Sequence, residues 1–187
     1  LLDVAGEQWS MDKVNKGELT PMFFGSAMTN FGVRGFLEEY LRLAPAPQPR
    51  MSSDGLISPD DENFSGFIFK IQANMNPAHH DRLSFIRICS GKFERGMSVY
   101  HMQGGKAVKL SQPQQFLAQD RQIIDTAYPG DIVGLFDPGI FGIGDTLCMP
   151  SHKFKFADFP VFPPERFARV SAKDTMKRKQ FVKGIMQ

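Results

Sequence analysis

The sequence is poor in the features that type a protein most quickly. It holds two cysteines, Cys89 and Cys148, too few for a disulfide scaffold, so a reducing cytoplasm is the expected compartment. Neither sign of charge dominates: 22 Lys and Arg stand against 20 Asp and Glu, a net +2, which does not advertise a nucleic-acid binder by bulk charge. No apolar run approaches the roughly eighteen residues of a membrane span. Leu1-Leu2-Asp3-Val4 lacks both the basic start and the apolar core of a secretory signal.

Enzyme templates are also missing. No G-x-x-x-x-G-K-[ST] occurs, and Gly104-Gly105-Lys106 lacks the first glycine and the following helix of a phosphate cradle. Gly139-Ile140-Phe141-Gly142-Ile143-Gly144 reverses the dinucleotide fingerprint and suits a tight corner between strands. Gly25-Ser26-Ala27 is not the G-x-S-x-G elbow of a hydrolase. His79-His80-Asp81 places three ligand types in a row, but neighbours in an extended chain point to opposite faces. His101 and His152 have no ligand spacing, so no metal site is expected. Cys89 and Cys148 read as core residues rather than reactive thiols.

What is present is ordinary globular composition, 42% hydrophobic and 22% charged over 187 residues, enough for one or two domains. The chain starts at Leu1 rather than Met, and we expect a piece of something longer. Residues 1–18 are weakly patterned. Leu19 to Phe24 reads as a short buried strand ending at Gly25. After the loop 25–30, Val33, Phe36, Leu37, Tyr40 and Leu41 recur at helical spacing until Pro45 stops the helix. One strand and one helix cannot bury a core alone, so residues 1–49 look like the end of an α/β domain. The Gly25-Ser26-Ala27 loop has two readings. It is either a plain strand-to-helix turn, or a ligand loop at the carboxyl end of a strand, where Ser26 and the Ala27 amide could hydrogen-bond a flat polar ring.

Residues 50–65 carry Asp54, Asp60, Asp61 and Glu62 among Ser and Gly and read as a linker. From Gly66 short β-rich runs follow, at Phe67–Ile71, Leu83–Ile88, Gly96–Tyr100, Ala107–Leu110, Phe116–Ala118, Ile132–Leu135 and Thr146–Met149. Asn74-Met75-Asn76-Pro77 supplies turn chemistry between the first two. Close spacing and glycine corners predict a mainly β fold, a closed antiparallel barrel over 66–157 flanked by truncated α/β pieces at both ends. A third unit starts in 158–187, with Phe167–Val170 as a strand, Asp174 as a helix N-cap, and Met176, Phe181, Val182 and Ile185 on one helix face. Between Glu165 and Gln187 lie seven basic and two acidic residues. Lys173, Lys177, Arg178, Lys179 and Lys183 form either a phosphate-contacting surface or a solvated helix face.

Taken together, these segments resemble the translational GTPases. Thr20-Pro21-Met22-Phe23-Phe24-Gly25-Ser26-Ala27 looks like the family's fifth guanine-nucleotide motif, and Phe31-Gly32-Val33 with Leu43-Ala44-Pro45-Ala46-Pro47 like the start and exit of the last helix of its GTPase domain. Phe64–Ile71, Asp81–Ile88 and Ser90–Gly96 look like the opening of the elongation-factor type of second-domain barrel. Ala127–Leu135 and Gly144–Leu147 match its close. Within the family, Ile71–Pro77, His80-Asp81-Arg82, Ala118-Gln119-Asp120-Arg121 and Phe162-Pro163-Pro164-Glu165 resemble the bacterial termination branch.

The resemblance implies a cytoplasmic, monomeric parent GTPase that uses GTP and GDP with magnesium. It implies the ribosome, RNA and protein both, as a partner, and a class-one release factor whose dissociation and recycling the parent promotes. It also implies that Gly25, Ser26 and Ala27 hold the guanine base in the complete GTPase domain. The phosphate loop, switch segments and N-K-x-D motif are absent, since Asn15-Lys16-Gly17-Glu18 has Glu18 in place of Asp. The 187 residues alone are therefore expected to hold no cofactor, to contain no catalytic residue, and neither to bind nor to hydrolyse GTP. The barrel is expected to act as a docking surface and lever, with Lys92, Arg95 and Lys106 facing ribosomal RNA. An elongation or ribosome-protection GTPase, or a free-standing RNA- or protein-binding barrel, are the alternatives.

Overall fold

The computed structural model describes residues 8–73, 82–110, 113–117, 120–160 and 162–186. The chain divides into two units, 1–46 and 47–187. The Asn74–Pro77 turn and the His79-His80-Asp81 cluster lie outside the described residues, as do Ala118 and Gln119.

In the first unit, helix α1 (Met11–Asn15) starts at Ser10, whose Oγ accepts the Lys13 N–H. Helix α2 (Val33–Leu43) forms where the apolar spacing predicts it. Arg34 pairs with Glu38 and Arg42 with Glu39, both at 2.9 Å on the polar side. The Ala44 N–H closes the last turn on the Tyr40 carbonyl, and Pro45 cannot continue it. No residue of α2 is fully buried, and the Phe23 ring meets Phe36 edge-on at 5.3 Å. The strand expected over Leu19–Phe24 does not form: the segment has no ladder partner among the described residues, and an apolar run without a neighbouring strand cannot pair its backbone groups.

Among the described residues the second unit has twelve strands: β1 (Arg50–Ser52), β2 (Gly55–Ile57), β3 (Ser65–Ala73), β4 (Arg82–Ser90), β5 (Phe93–Glu94), β6 (Ser98–His101), β7 (Lys106–Lys109), β8 (Gln114–Leu117), β9 (Asp120–Ile123), β10 (Thr126–Ala127), β11 (Ile132–Phe136) and β12 (Thr146–Cys148). Eight of them make one antiparallel sheet in the order β7-β6-β12-β3-β4-β11-β8-β9. The residues that alternate inward along β4 and β11, Ile86, Ile88, Val133 and Leu135, join Phe64, Ile68, Phe93, Val99, Phe141 and Leu147 in the main core.

The expected closed barrel is corrected here: the sheet is an open half-barrel. Closure needs a continuous ladder all round, and among the described residues no pairing joins β7 to β9. Among the described residues β8 is paired with β11 at Gly134↔Gln114 alone, and β5 and β10 pair only with each other.

Within the stretch 50–65, β1 and β2 form a hairpin that is stitched to residues 155–157. The Ser53 N–H donates to the Lys155 carbonyl at 2.8 Å and the Ala157 N–H to the Met51 carbonyl at 3.2 Å. Ile57 packs there with Phe67, Cys148, Phe154 and Phe156 in a second, outer cluster. Toward the C-terminus, Phe167–Val170 form no strand among the described residues. Asp174 does cap, its Oδ1 accepting the Met176 N–H at 2.9 Å ahead of helix α3 (Arg178–Met186).

Candidate functional site

The loop that carries Gly25, Ser26 and Ala27 joins the extended segment 19–24 to α2. The Ser26 N–H donates to the Phe31 carbonyl at 2.9 Å, the two residues forming a lone antiparallel bridge across the turn 27–30. Asn30 lies at φ 55° and Gly32 at φ 71°, both left-handed. This is where glycine is required, because a Cβ at Gly32 would lie 2.6 Å from the Phe24 carbonyl oxygen. With the Ser26 amide engaged, its hydroxyl and the Ala27 N–H have no hydrogen-bond partner among the described residues. They border a hollow of about 360 Å³ lined also by Phe23, Phe24, Val33 and Phe36. Two unengaged donors beside apolar walls can take a flat ring bearing a carbonyl acceptor.

In the second unit two buried aspartates gather the polar contacts of a strand corner, while Arg50 Nε, Arg82 Nε and His101 Nδ1 are buried without a hydrogen bond among the described residues. Asp137, fully buried, accepts the Gly139 and Ile140 N–H groups at 2.8 Å each on Oδ1 and the Ser84 hydroxyl at 2.8 Å on Oδ2. Arg82 lies 3.0 Å from Oδ2 through Nε, a charge contact without an aligned N–H, while its Nη2 donates to the Phe141 carbonyl at 2.6 Å. Asp145 Oδ2 takes the Gly142 N–H at 2.6 Å and stands 2.6 Å from His101 Nε2. The Gly139–Gly144 stretch is thus a strand corner held by two of the chain's own carboxylates.

The remaining expectations are placed as follows. Burial pushes the Cys89 thiol up to about 11, against a smaller opposite pull from Arg50 and Arg87. Burial also raises Cys148, so neither is a thiolate at neutral pH. No group of three or more potential ligand residues gathers to hold a metal ion among the described residues, and no helix there is long and apolar enough to cross a membrane. Lys92 is held by Glu94 at 2.9 Å, whose hydrogen bond raises the lysine's pKa, and Arg95 lies 3.5 Å from Asp125. Lys106 is exposed at the start of the edge strand β7. Sequence spacing points to Gly25–Ala27 but not to Phe31 as their backbone partner. The only signal is a glycine standing just before the helix.

Residues 63–150 match the family model described as elongation factor G domain 2. Over 185 residues, 99% of this chain and 35% of the relative, the chain is 61% identical to peptide chain release factor 3 of Symbiobacterium thermophilum. It is 54% identical over 187 residues to the protein of that name from Listeria welshimeri, and 53% over 188 residues to that from Ligilactobacillus salivarius, in each case covering 100% of this chain and 36% of the relative. The chain spans about a third of the length of the curated relatives it matches.

Proposed function

We infer from this likeness that the chain is a section of a translational GTPase of the release factor 3 kind. In this reading residues 1–49 close the GTPase domain, 50–65 connect it onward, 66–157 are the second-domain β module and 158–187 begin a third domain. The whole protein would work in the cytoplasm as a monomer on the ribosome, spending GTP to dissociate and recycle class-one release factors. The observation that carries the reading is identity of 53–61% sustained over the whole chain, flanks as well as β module, to proteins named for that step.

The loop chemistry supports a guanine site. The Ser26 hydroxyl and Ala27 N–H are donors suited to the O6 edge of guanine, and Gly25 lets the backbone come close. GTP or GDP supplies the switchable phosphate, and magnesium its counter-ion. Gly25, Ser26 and Ala27 would hold only the base, while phosphate positioning falls to residues elsewhere in the parent. The half-barrel, rigid around its own core, is suited to transmit the state of a neighbouring domain to a docking surface.

The test uses the full-length protein with ribosomes halted at a stop codon and carrying a class-one release factor. GTP-dependent release of that factor, with no stimulation of translocation, is the expected result. Translocation without factor release would move the protein to the elongation class.

A further inference from the structure

We propose that Gly32 is a positioning residue for guanine selectivity: its left-handed backbone brings the Phe31 carbonyl onto the Ser26 amide and so presents the Ser26 hydroxyl and Ala27 N–H to the base. The inference rests on the nucleotide reading above and assigns a role to a residue outside the base-contacting trio. Three observations carry it. Gly32 has φ 71°, and a Cβ there would lie 2.6 Å from the Phe24 carbonyl oxygen, a backbone atom that cannot swing away. The Phe31 carbonyl, immediately before it, is the acceptor for the Ser26 N–H at 2.9 Å. From the other side, a Cβ on Gly25 would sit 3.0 Å from that same carbonyl. Two glycines therefore clear room around one hydrogen bond, and that bond closes the turn 27–30.

The consequence for chemistry is directional. If the Ser26 amide were released from Phe31, the donors of Ser26 and Ala27 would lose their common orientation. Contacts to phosphate and ribose made elsewhere in the parent would not change. Gly32 should therefore govern how well guanine is told from a purine without O6, rather than nucleotide affinity at large.

The experiment uses the full-length protein and competition against a fluorescent GDP analogue, with GDP and 2-aminopurine riboside diphosphate as competitors. In Gly32→Ala, forcing a Cβ into the left-handed region and against a carbonyl should cut the preference for GDP about tenfold. The affinity for the 2-aminopurine nucleotide should stay within about twofold. Gly35→Ala, where a Cβ meets nothing within 4 Å, should keep the native preference. Equal weakening of both competitors, or an unchanged preference, overturns the proposal. Should Gly32→Ala not fold, Gly25→Ala presses on the Phe31 carbonyl less severely and must lower the preference in the same direction. An unmodified protein that binds both nucleotides equally removes the guanine role of Ser26 and Ala27, and this inference with it. One that binds neither removes the GTPase reading itself.

Discussion

Replacing Asp137 by asparagine asks whether the corner after β11 is held by charge or by shape alone. The side chain is fully buried, and Oδ1 serves the Gly139 and Ile140 amides, a task an asparagine oxygen can keep. The other position becomes an NH2 group facing Ser84 Oγ and Arg82 Nε. The hydroxyl can turn and accept, but the guanidinium cannot. Removing one partner of a buried ion pair costs about 3–5 kcal/mol. Arg82 keeps its bond to the Phe141 carbonyl and 13% of its side-chain surface in water, so the lower end, about 3 kcal/mol, is expected. Trp9, the single tryptophan, lies in the other unit, so its fluorescence does not report this loss. Native-state hydrogen exchange of β4 and β11 amides does, and at about 1.4 kcal/mol per tenfold the protection should fall roughly a hundredfold. Adding Arg82→Met should restore part of it, with a coupling of about 1–3 kcal/mol. A loss below tenfold, or strictly additive single variants, would refute the charge argument.

Three further outcomes are expected. The 187-residue chain by itself should show no saturable binding of a fluorescent GDP analogue, and a saturating signal would mean that its own residues hold the phosphates. Cys89, raised from 9.0 to about 11 by burial, stabilises the fold as a neutral thiol below pH 9 and loses that contribution as pH climbs through about 11. Its alkylation by iodoacetamide should accordingly rise late, and a half-point at or below 9 contradicts the burial argument. Reversing Lys92, Arg95 and Lys106 together in the full-length protein should weaken ribosome association and flatten its log–log salt slope by about 2–3 if each meets a phosphate. Since Lys92 and Arg95 are partly neutralised by Glu94 and Asp125, an unchanged slope would assign all three to local ion pairs.

The strands that were legible in the sequence are those long enough to show an apolar run or a period of two. β4 alternates over Ile86–Ser90, while β3 and β11 carry unbroken buried runs at 65–68 and 133–135; β5 and β10 are two residues each and show neither signal. The β1–β2 hairpin hides in an acidic, Ser-rich stretch because its stability comes from distant residues, Lys155 and Phe156, rather than its own pattern. Closure was not legible at all, because it turns on how far β8 pairs with β11. Helix α2 was legible from its spacing, but the exposure of Leu37 and Leu41, 52% and 81%, was not, since periodicity shows a face and not what covers it.

The two glycine-rich loops show why spacing separates a corner from a ligand loop so poorly. Gly139 to Gly144 offers backbone N–H groups to an anion, as a nucleotide loop does. Its anions are supplied from within: Asp137 takes the amides of Gly139 and Ile140, and Asp145 that of Gly142. Four of its N–H groups, those of residues 139 to 142, are thereby held by the chain's own carboxylates. Gly25 to Ala27 is the opposite case. Its one internal bond, Ser26 N–H to the Phe31 carbonyl, uses a donor whose loss leaves the neighbouring hydroxyl and amide open among the described residues. The loops need glycine for different reasons, Gly139 and Gly144 for a left-handed backbone and Gly25 for the close approach of the Phe31 carbonyl at 3.0 Å. What distinguishes them is whether an internal acceptor lies within reach, and that is set by residues brought together only by the fold: a buried aspartate at the end of a strand in one, a carbonyl before a left-handed glycine in the other.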